Sequence, residues 1–269
     1  MAWPLYRPVT DATTPVTDAS PKAFWRFEDD LTDDATVGPY DLALTTGTET
    51  YADAGNGRTV FSFDGSTSLT ATGYKGITGS NPRAISAWIK TTSSVSDITI
   101  ITWGAEALGQ RWMFRVLSTG VLRIDNAGGN AAGSTVVNDG KWHHVAAVLE
   151  SGDTNVNLTK LYVDGAAETI ASSTSRAVNT VGTEDVIVGD WVSGNAFTGQ
   201  MDEVAIFDGL TSTEVLAIYR GGLTAEQNDY VYKESTDAWV TTDLPRGSGR
   251  YKSQLVTVSD QGRVYFGAV

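Results

Sequence analysis

The sequence has no cysteine. Disulfides, thiolate metal sites and cysteine nucleophiles are therefore excluded. Histidine is nearly absent as well: the two that occur, His143 and His144, are adjacent. Residues that favour helix, such as Glu, Lys and Gln, are sparse, and no apolar run approaches the ~20 residues that cross a bilayer as a helix. The N-terminal segment MAWPLYRPVTDATTPVTDAS has no apolar stretch of the kind a secretory signal needs, so no signal peptide is expected. Basic residues are outnumbered, with Lys+Arg at 19 against Asp+Glu at 32 and a net charge of −13. Such a surface repels phosphate, which argues against nucleic acid and anionic membranes as partners.

What the 269 residues do contain points to strands and tight turns: 28 Gly, ten Tyr, eight Trp and eight Phe, with 41% hydrophobic residues overall. From Ala23 to Gly222, short apolar-polar alternations are separated by turn residues at intervals of about ten, the signature of a sandwich or barrel. AISAWIKT is an example, with Ile85, Ala87 and Ile89 on one face and Ser86, Trp88 and Lys90 on the other. Asp164-Gly165 after KLYV marks a hairpin, since both residues tolerate positive φ. One helix is expected where Thr211 and Glu214 form a capping box ahead of Val215, Leu216, Ile218 and Tyr219, with Gly221-Gly222 as the stop. A single helix in this position is expected to plug one end of the sandwich. Residues 1–22 hold four of the seven prolines and read as an extended arm, laid on a partner or strapped across the chain's own domain. Residues 223–269 hold three strand candidates, DAWVTTDL, YKSQLVTVS and GRVYFGAV, and read as a β extension for assembly.

Three segments occur in an ordered set: AFWRFEDDLTDDATVGPYDLALT, then DGKWHHVAAVLE with LYVDG, then FTGQMDEVAIFDGLTSTEVLAIYRGG. Together they resemble the concanavalin A-like, laminin-G-type lectin domains. The resemblance implies an all-β jelly-roll sandwich of two antiparallel sheets over residues 23–222. It also implies Ca²⁺ at the start of the Asp-Glu strand, with Asp202 as the best-matching ligand and Glu28 (or Asp29) and Asp41 as partners. Ca²⁺ needs six to eight oxygen ligands, which carboxylates from distant segments can supply together.

For sugar binding, aromatic faces stack on pyranose C–H faces. Trp191, in the loop-like GDWVSGN with Asn195 at its end, is the first candidate and Trp103 the second. Trp25, Trp88 and Trp142 fall in strand patterns and read as packing. His143 and His144 read as strand histidines held by a neighbour, since no nucleophile or orienting carboxylate is spaced for catalysis. The Glu-x-Asp-x-x-Glu pattern of related glycanases is absent, and Asp202 and Glu203 are expected on opposite faces, so no enzyme activity is expected.

Two functions fit. The first is a structural subunit of a virus particle, such as a bacteriophage decoration, fibre or tail-associated protein. It would be made in the host cytoplasm, locked to other virion subunits as a homo-oligomer (a trimer by preference), and able to touch host-surface glycans. The second is a glycan-binding module of an extracellular protein.

Overall fold

Alternation sets the faces of the strands, and the faces build two layers. The computed structural model describes residues 13–55, 58–191 and 195–222, and the backbone of 230–233 and 238–241. In chain order the elements are α1 (Thr13–Asp18), β1 (Ala23–Trp25), β2 (Leu42–Thr46), β3 (Tyr51–Gly55), β4 (Arg58–Asp64), β5 (Ser68–Ala71), β6 (Arg83–Lys90), β7 (Ile98–Gly104), β8 (Arg111–Val116) and β9 (Val121–Asp125). There follow β10 (Asn130–Val136), β11 (Trp142–Leu149), β12 (Lys160–Val163), β13 (Ala166–Ala167), β14 (Ser172–Thr174), β15 (Val186–Val188), β16 (Thr198–Phe207), α2 (Ser212–Gly221), β17 (Tyr230–Lys233) and β18 (Ala238–Thr241).

The first sheet runs β13-β12-β11-β6-β16-β4-β3, and the second β14-β10-β9-β8-β7-β15-β5-β2, all pairs antiparallel. The ten-residue β16 takes β4 along its first half and β1 along its second. The inner faces meet in one core that includes Trp25, Phe61, Ile85, Trp103, Trp112, Phe114, Val145 and Ile206. This is the expected jelly-roll sandwich. The Asp164-Gly165 turn joins β12 to β13 with φ of 51° and 75°.

Several expectations are corrected. The capping box at α2 forms as read, with Thr211 Oγ1 accepting from the Glu214 N–H and Glu214 Oε2 from the Thr211 N–H. But α2 does not plug an end of the sandwich. Val215 and Ile218 bury against Ala84, Ala146, Ala205 and Phe207 on the outer face of the first sheet, which is apolar enough to need a cover. The arm is described only from Thr13, and from there to Asp18 it is helical, not extended. Pro15 is tolerated there because the N–H groups of a first turn have no partner within the helix. Val16 joins the cluster under α2, so this part of the arm lies on its own domain. In the tail, Ala238–Thr241 falls within the first expected strand and pairs with Tyr230–Lys233, which the sequence did not single out. The other two strand candidates lie outside the described residues.

One end of the inter-sheet space is closed by a buried cation. Arg83 is fully buried, with its guanidinium 5.1 Å from the Trp112 ring centroid. Its partners are carbonyls and a hydroxyl: Nη1 donates to Ile77 O and Thr180 Oγ1 at 2.7 Å, Nη2 to Gly79 O at 2.8 Å, and Nε to Asn81 O at 3.0 Å. Burial pushes its pKa down to about 10.

The Asp202-Glu203 pair occupies a β-bulge. Register against β6 shifts between Asp202 and Ala205, and Glu203 has φ of 49°. One extra residue is absorbed there, so that Met201 and Val204 both reach the core. Both acids are buried, and the simple alternation expected of them is broken.

The adjacent histidines are shifted in opposite directions. His143 Nδ1 lies 2.9 Å from Asp164 Oδ2 and Nε2 lies 3.2 Å from Asp139 Oδ1. Burial works against its charged form, but the two carboxylates outweigh burial and its pKa is raised. His143 is thus held by neighbours as read, clamped between Asp139 and Asp164. His144 packs against Trp88 and Tyr219, and complete burial pushes its pKa down to about 4.

The signs differ accordingly. The His143 contribution is present below the ordinary histidine pKa near 6.5 and is lost as pH rises through its higher folded value. The His144 contribution is present above about 6.5 and is lost as pH falls toward 4. In denaturant titrations at a series of pH values, the stability gap between wild type and His143→Gln should shrink as pH rises. A gap independent of pH would mean that the clamp carries no charge.

Candidate functional site

In β8, Trp112, Phe114 and Val116 face the core, and in β9 Leu122 and Ile124 do the same. The alternate residues Arg111, Met113, Arg115, Arg123 and Asp125 therefore stand on the outer face of the second sheet. On a bare sheet they would be exposed. Instead Met113 and Asp125 are each 1% exposed and Arg111 is 9% exposed. Register places Met113 opposite Asp125 and Arg115 opposite Arg123, while β7 sets the buried Thr99 beside Arg115 and Thr102 beside Met113.

Asp125 holds this group together. Its Oδ1 accepts from Arg111 Nη2 at 2.7 Å, and its Oδ2 lies 2.8 Å from Arg115 Nη2 and 3.8 Å from Arg123 Nε. The outer ends are also engaged. Arg111 Nη1 pairs with Glu106, and Arg115 Nη1 lies 3.3 Å from Asp97 Oδ2. Two arginines facing each other across a ladder repel, and burial together with Arg115 pushes the Arg123 pKa down. The central carboxylate makes the arrangement tenable.

The cover comes from Trp191 and Asn195, on the described ends of the connection between β15 and β16. Its ends are fixed by backbone bonds: Gly189 N–H to Ile100 O at 2.9 Å, Phe197 N–H to Gly189 O at 2.7 Å, and Thr99 N–H to Asn195 O at 2.8 Å. Gly189 has φ of 85°, and a Cβ there would run into the Phe63 ring, so only glycine lets the loop leave the sheet this way. Trp191 is buried, with the Arg111 guanidinium 5.0 Å from its ring centroid. A cavity of about 590 Å³ remains, floored by Arg111, Met113 and Arg115 and walled by Trp191, Asn195, Glu106 and Glu184. It offers guanidinium donors, carboxylate acceptors, an amide and an apolar floor within one concave space.

Of the sugar-site residues expected from the sequence, Trp191 and Asn195 line this cavity together. Trp191 does so differently from the expectation, because its ring lies against Arg111. Trp103 is elsewhere: it is fully buried in the core beside Trp112, and its Nε1 donates to Ile77 O at 3.0 Å. ITIITWG reads as a strand, and Trp103 is one of its inward residues. The sequence reading missed Arg111, Arg115, Asp125 and Glu106. The signal was present in RWMFRV and VLRID, where charges alternate with core residues.

The expected Ca²⁺ set is not assembled. Asp202 is fully buried in its bulge, with Oδ1 accepting from the Glu203 N–H. Glu28 Oε2 accepts from the Thr59 N–H, and Asp41 Oδ1 from the Asp33 N–H. Among the described residues, no three His, Asp or Glu side chains gather in a way that could hold a metal ion. Each of these carboxylates accepts from a backbone N–H.

Comparison with known proteins gives a family model described as the concanavalin A-like lectin/glucanases superfamily, matched over residues 46–216, well over half the chain. No curated protein matches the chain in sequence. Among solved structures, domain 4 of an extracellular arabinanase from Geobacillus stearothermophilus, in complex with arabinotriose, is similar at a TM-score of 0.57 and 20% identity. That similarity covers 74% of this chain and 98% of the arabinanase domain. The binding domain of Paraclostridial Mosquitocidal Protein 1 is similar at 0.55 and 15% identity, covering 76% of this chain and 52% of the other. The receptor binding domain of botulinum neurotoxin D follows at 0.54 and 15%, covering 83% and 56%. The chain thus corresponds to only about half of each toxin domain. At these identities the likeness is one of fold.

Proposed function

We propose that this chain, which belongs to the concanavalin A-like lectin/glucanases superfamily, is a non-catalytic glycan-binding module whose site is the cavity on the outer face of β8 and β9. The observation that carries this reading is the buried Arg111–Asp125–Arg115 network opening on a cavity with Asn195 and Trp191 at its wall. Sugar hydroxyls donate and accept at once, and the cavity presents both kinds of partner already fixed in place. Glycoside hydrolysis needs a protonated carboxyl and a second carboxylate across the bond. Here Asp125 is bound by guanidinium groups and Glu106 is tied to Arg111, so both already serve as ion-pair partners.

An array of printed oligosaccharides tests the reading with the full chain and Asn195→Ala. At least one glycan should be retained by the wild type and bound about tenfold more weakly by the variant, with no cleavage on incubation. An array without a ligand would overturn it.

One observation favours a second reading, assembly into a particle. Among the described residues β17 and β18 pair only with each other in a two-stranded sheet, and two strands alone are marginal. A neighbouring copy could complete it, as the virion-subunit expectation has it, with residues 1–12 and most of 223–269 lying outside the described residues. Sizing with light scattering should then give a trimer, and a monomer at micromolar concentration would remove this reading.

A further inference from the structure

If the cavity is the glycan site, the premise on which this inference rests, its charge balance names the ligand class. Two guanidinium groups, Arg111 and Arg115, stand at the cavity floor, with Arg123 beside them around Asp125, which would ordinarily suggest a carboxylate or sulfate ligand. Each of them is already engaged. Arg111 pairs with Asp125 and Glu106, Arg115 with Asp125 and Asp97, and Arg123 approaches Asp125. Glu106 and Glu184 line the cavity against Arg111 and Arg115, and with Asp125, Asp97 and Arg123 behind them four carboxylates are set against three guanidiniums, in a chain whose net charge is −13.

An anionic sugar would have to compete with Asp125, which is 1% exposed and held at 2.7 and 2.8 Å. It would also have to pass Glu106 and Glu184, both exposed. Like charges brought together in this way cost binding energy and slow the encounter.

The aromatic route is closed as well. Trp191 is 6% exposed and the Arg111 guanidinium lies over its ring, so the indole steadies the guanidinium and does not offer a face for stacking. The cavity therefore has to recognise its ligand by hydrogen bonds to hydroxyl groups against the Met113 floor. We infer that the cavity selects a neutral, hydroxyl-rich oligosaccharide and rejects uronate, sialate and sulfated ones, with Glu106 and Glu184 as the residues that enforce the rejection.

Calorimetric titration of the full chain tests this with arabinotriose, maltotriose and cellotriose as neutral probes and trigalacturonate and sialyllactose as anionic ones. The wild type should bind at least one neutral probe at least tenfold more tightly than either anionic probe. In Glu106→Gln/Glu184→Gln, whose changes fall on exposed side chains, the ratio of anionic to neutral affinity should rise at least tenfold. Tighter binding of trigalacturonate or sialyllactose by the wild type would overturn the inference while leaving a glycan site standing. Neutral binding with an unchanged ratio in the double variant would overturn the assigned role of the two glutamates. Binding of no probe in either class would overturn the inference together with the function it rests on.

Discussion

Replacing Arg83 with Met should lower stability by about 3–5 kcal/mol, more than most single substitutions. Methionine matches the length of the side chain but donates nothing. Asn81 O and Thr180 Oγ1, now bonded at 3.0 and 2.7 Å, would lose this donor, while Ile77 O and Gly79 O would each lose one of two, keeping the Trp103 indole N–H and the Thr180 N–H. Each buried acceptor stranded in this way costs about 1–3 kcal/mol, and relief from burying a charge offsets part of the sum. The melting temperature should fall by about 6–20 °C, measured by calorimetry. Lysine should recover only part of the loss, because one ammonium cannot reproduce the planar fork. A shift of less than about 2 °C for Arg83→Met would mean that the loops at 77–81 and 180 hold without it.

Asp125→Ala should be the second severe change, at about 3–5 kcal/mol, because it removes the partner of charges that stay behind. Arg111, Arg115 and Arg123 would face one another with no central carboxylate, Arg115 and Arg123 directly across the ladder. Glycan binding should be lost along with stability, since the guanidiniums that floor the cavity would turn away toward solvent. Asp125→Asn keeps the shape and one acceptor and should fall between the two. Denaturant unfolding read alongside glycan retention checks both effects. An Asp125→Ala protein as stable as the wild type would show that the network is a surface feature and not a buried one.

Local patterns carried the fold well where a residue's own chemistry decides. Asp164-Gly165 made its turn because both residues accept positive φ. Thr211 and Glu214 closed their capping box because the spacing alone satisfies two backbone donors. Val145 and Ile206 fell into the core by strand parity. What escaped was decided by neighbours distant in sequence. The bulge at Asp202-Glu203 is visible only in the register against β6. The place of α2 depends on how apolar the outer face of the first sheet is, with Ala84, Ala146 and Ala205 brought together from three strands.

The site divided in the same way. Trp191 and Asn195 could be picked out because a loop rich in Gly and Asp with one Trp is conspicuous. Trp103 was misread because its strand pattern does not say which face turns to the core until its strand partners are known. Arg111, Arg115 and Asp125 looked like outward charges on a half-buried strand. Nothing in their own segments says that a loop some 70 residues further on would cover them.

The most direct test of the cavity as the glycan site is a nuclear magnetic resonance titration with arabinotriose, following arginine Nε–H and tryptophan indole N–H signals. Arg111, Arg115 and Trp191 should shift with one common affinity, while Trp25 and Trp103, whose indoles are fixed on Tyr40 O and Ile77 O in the core, stay still. Shifts confined to residues on the first sheet or at the chain ends, with Arg111, Arg115 and Trp191 unmoved at saturating sugar, would contradict the account.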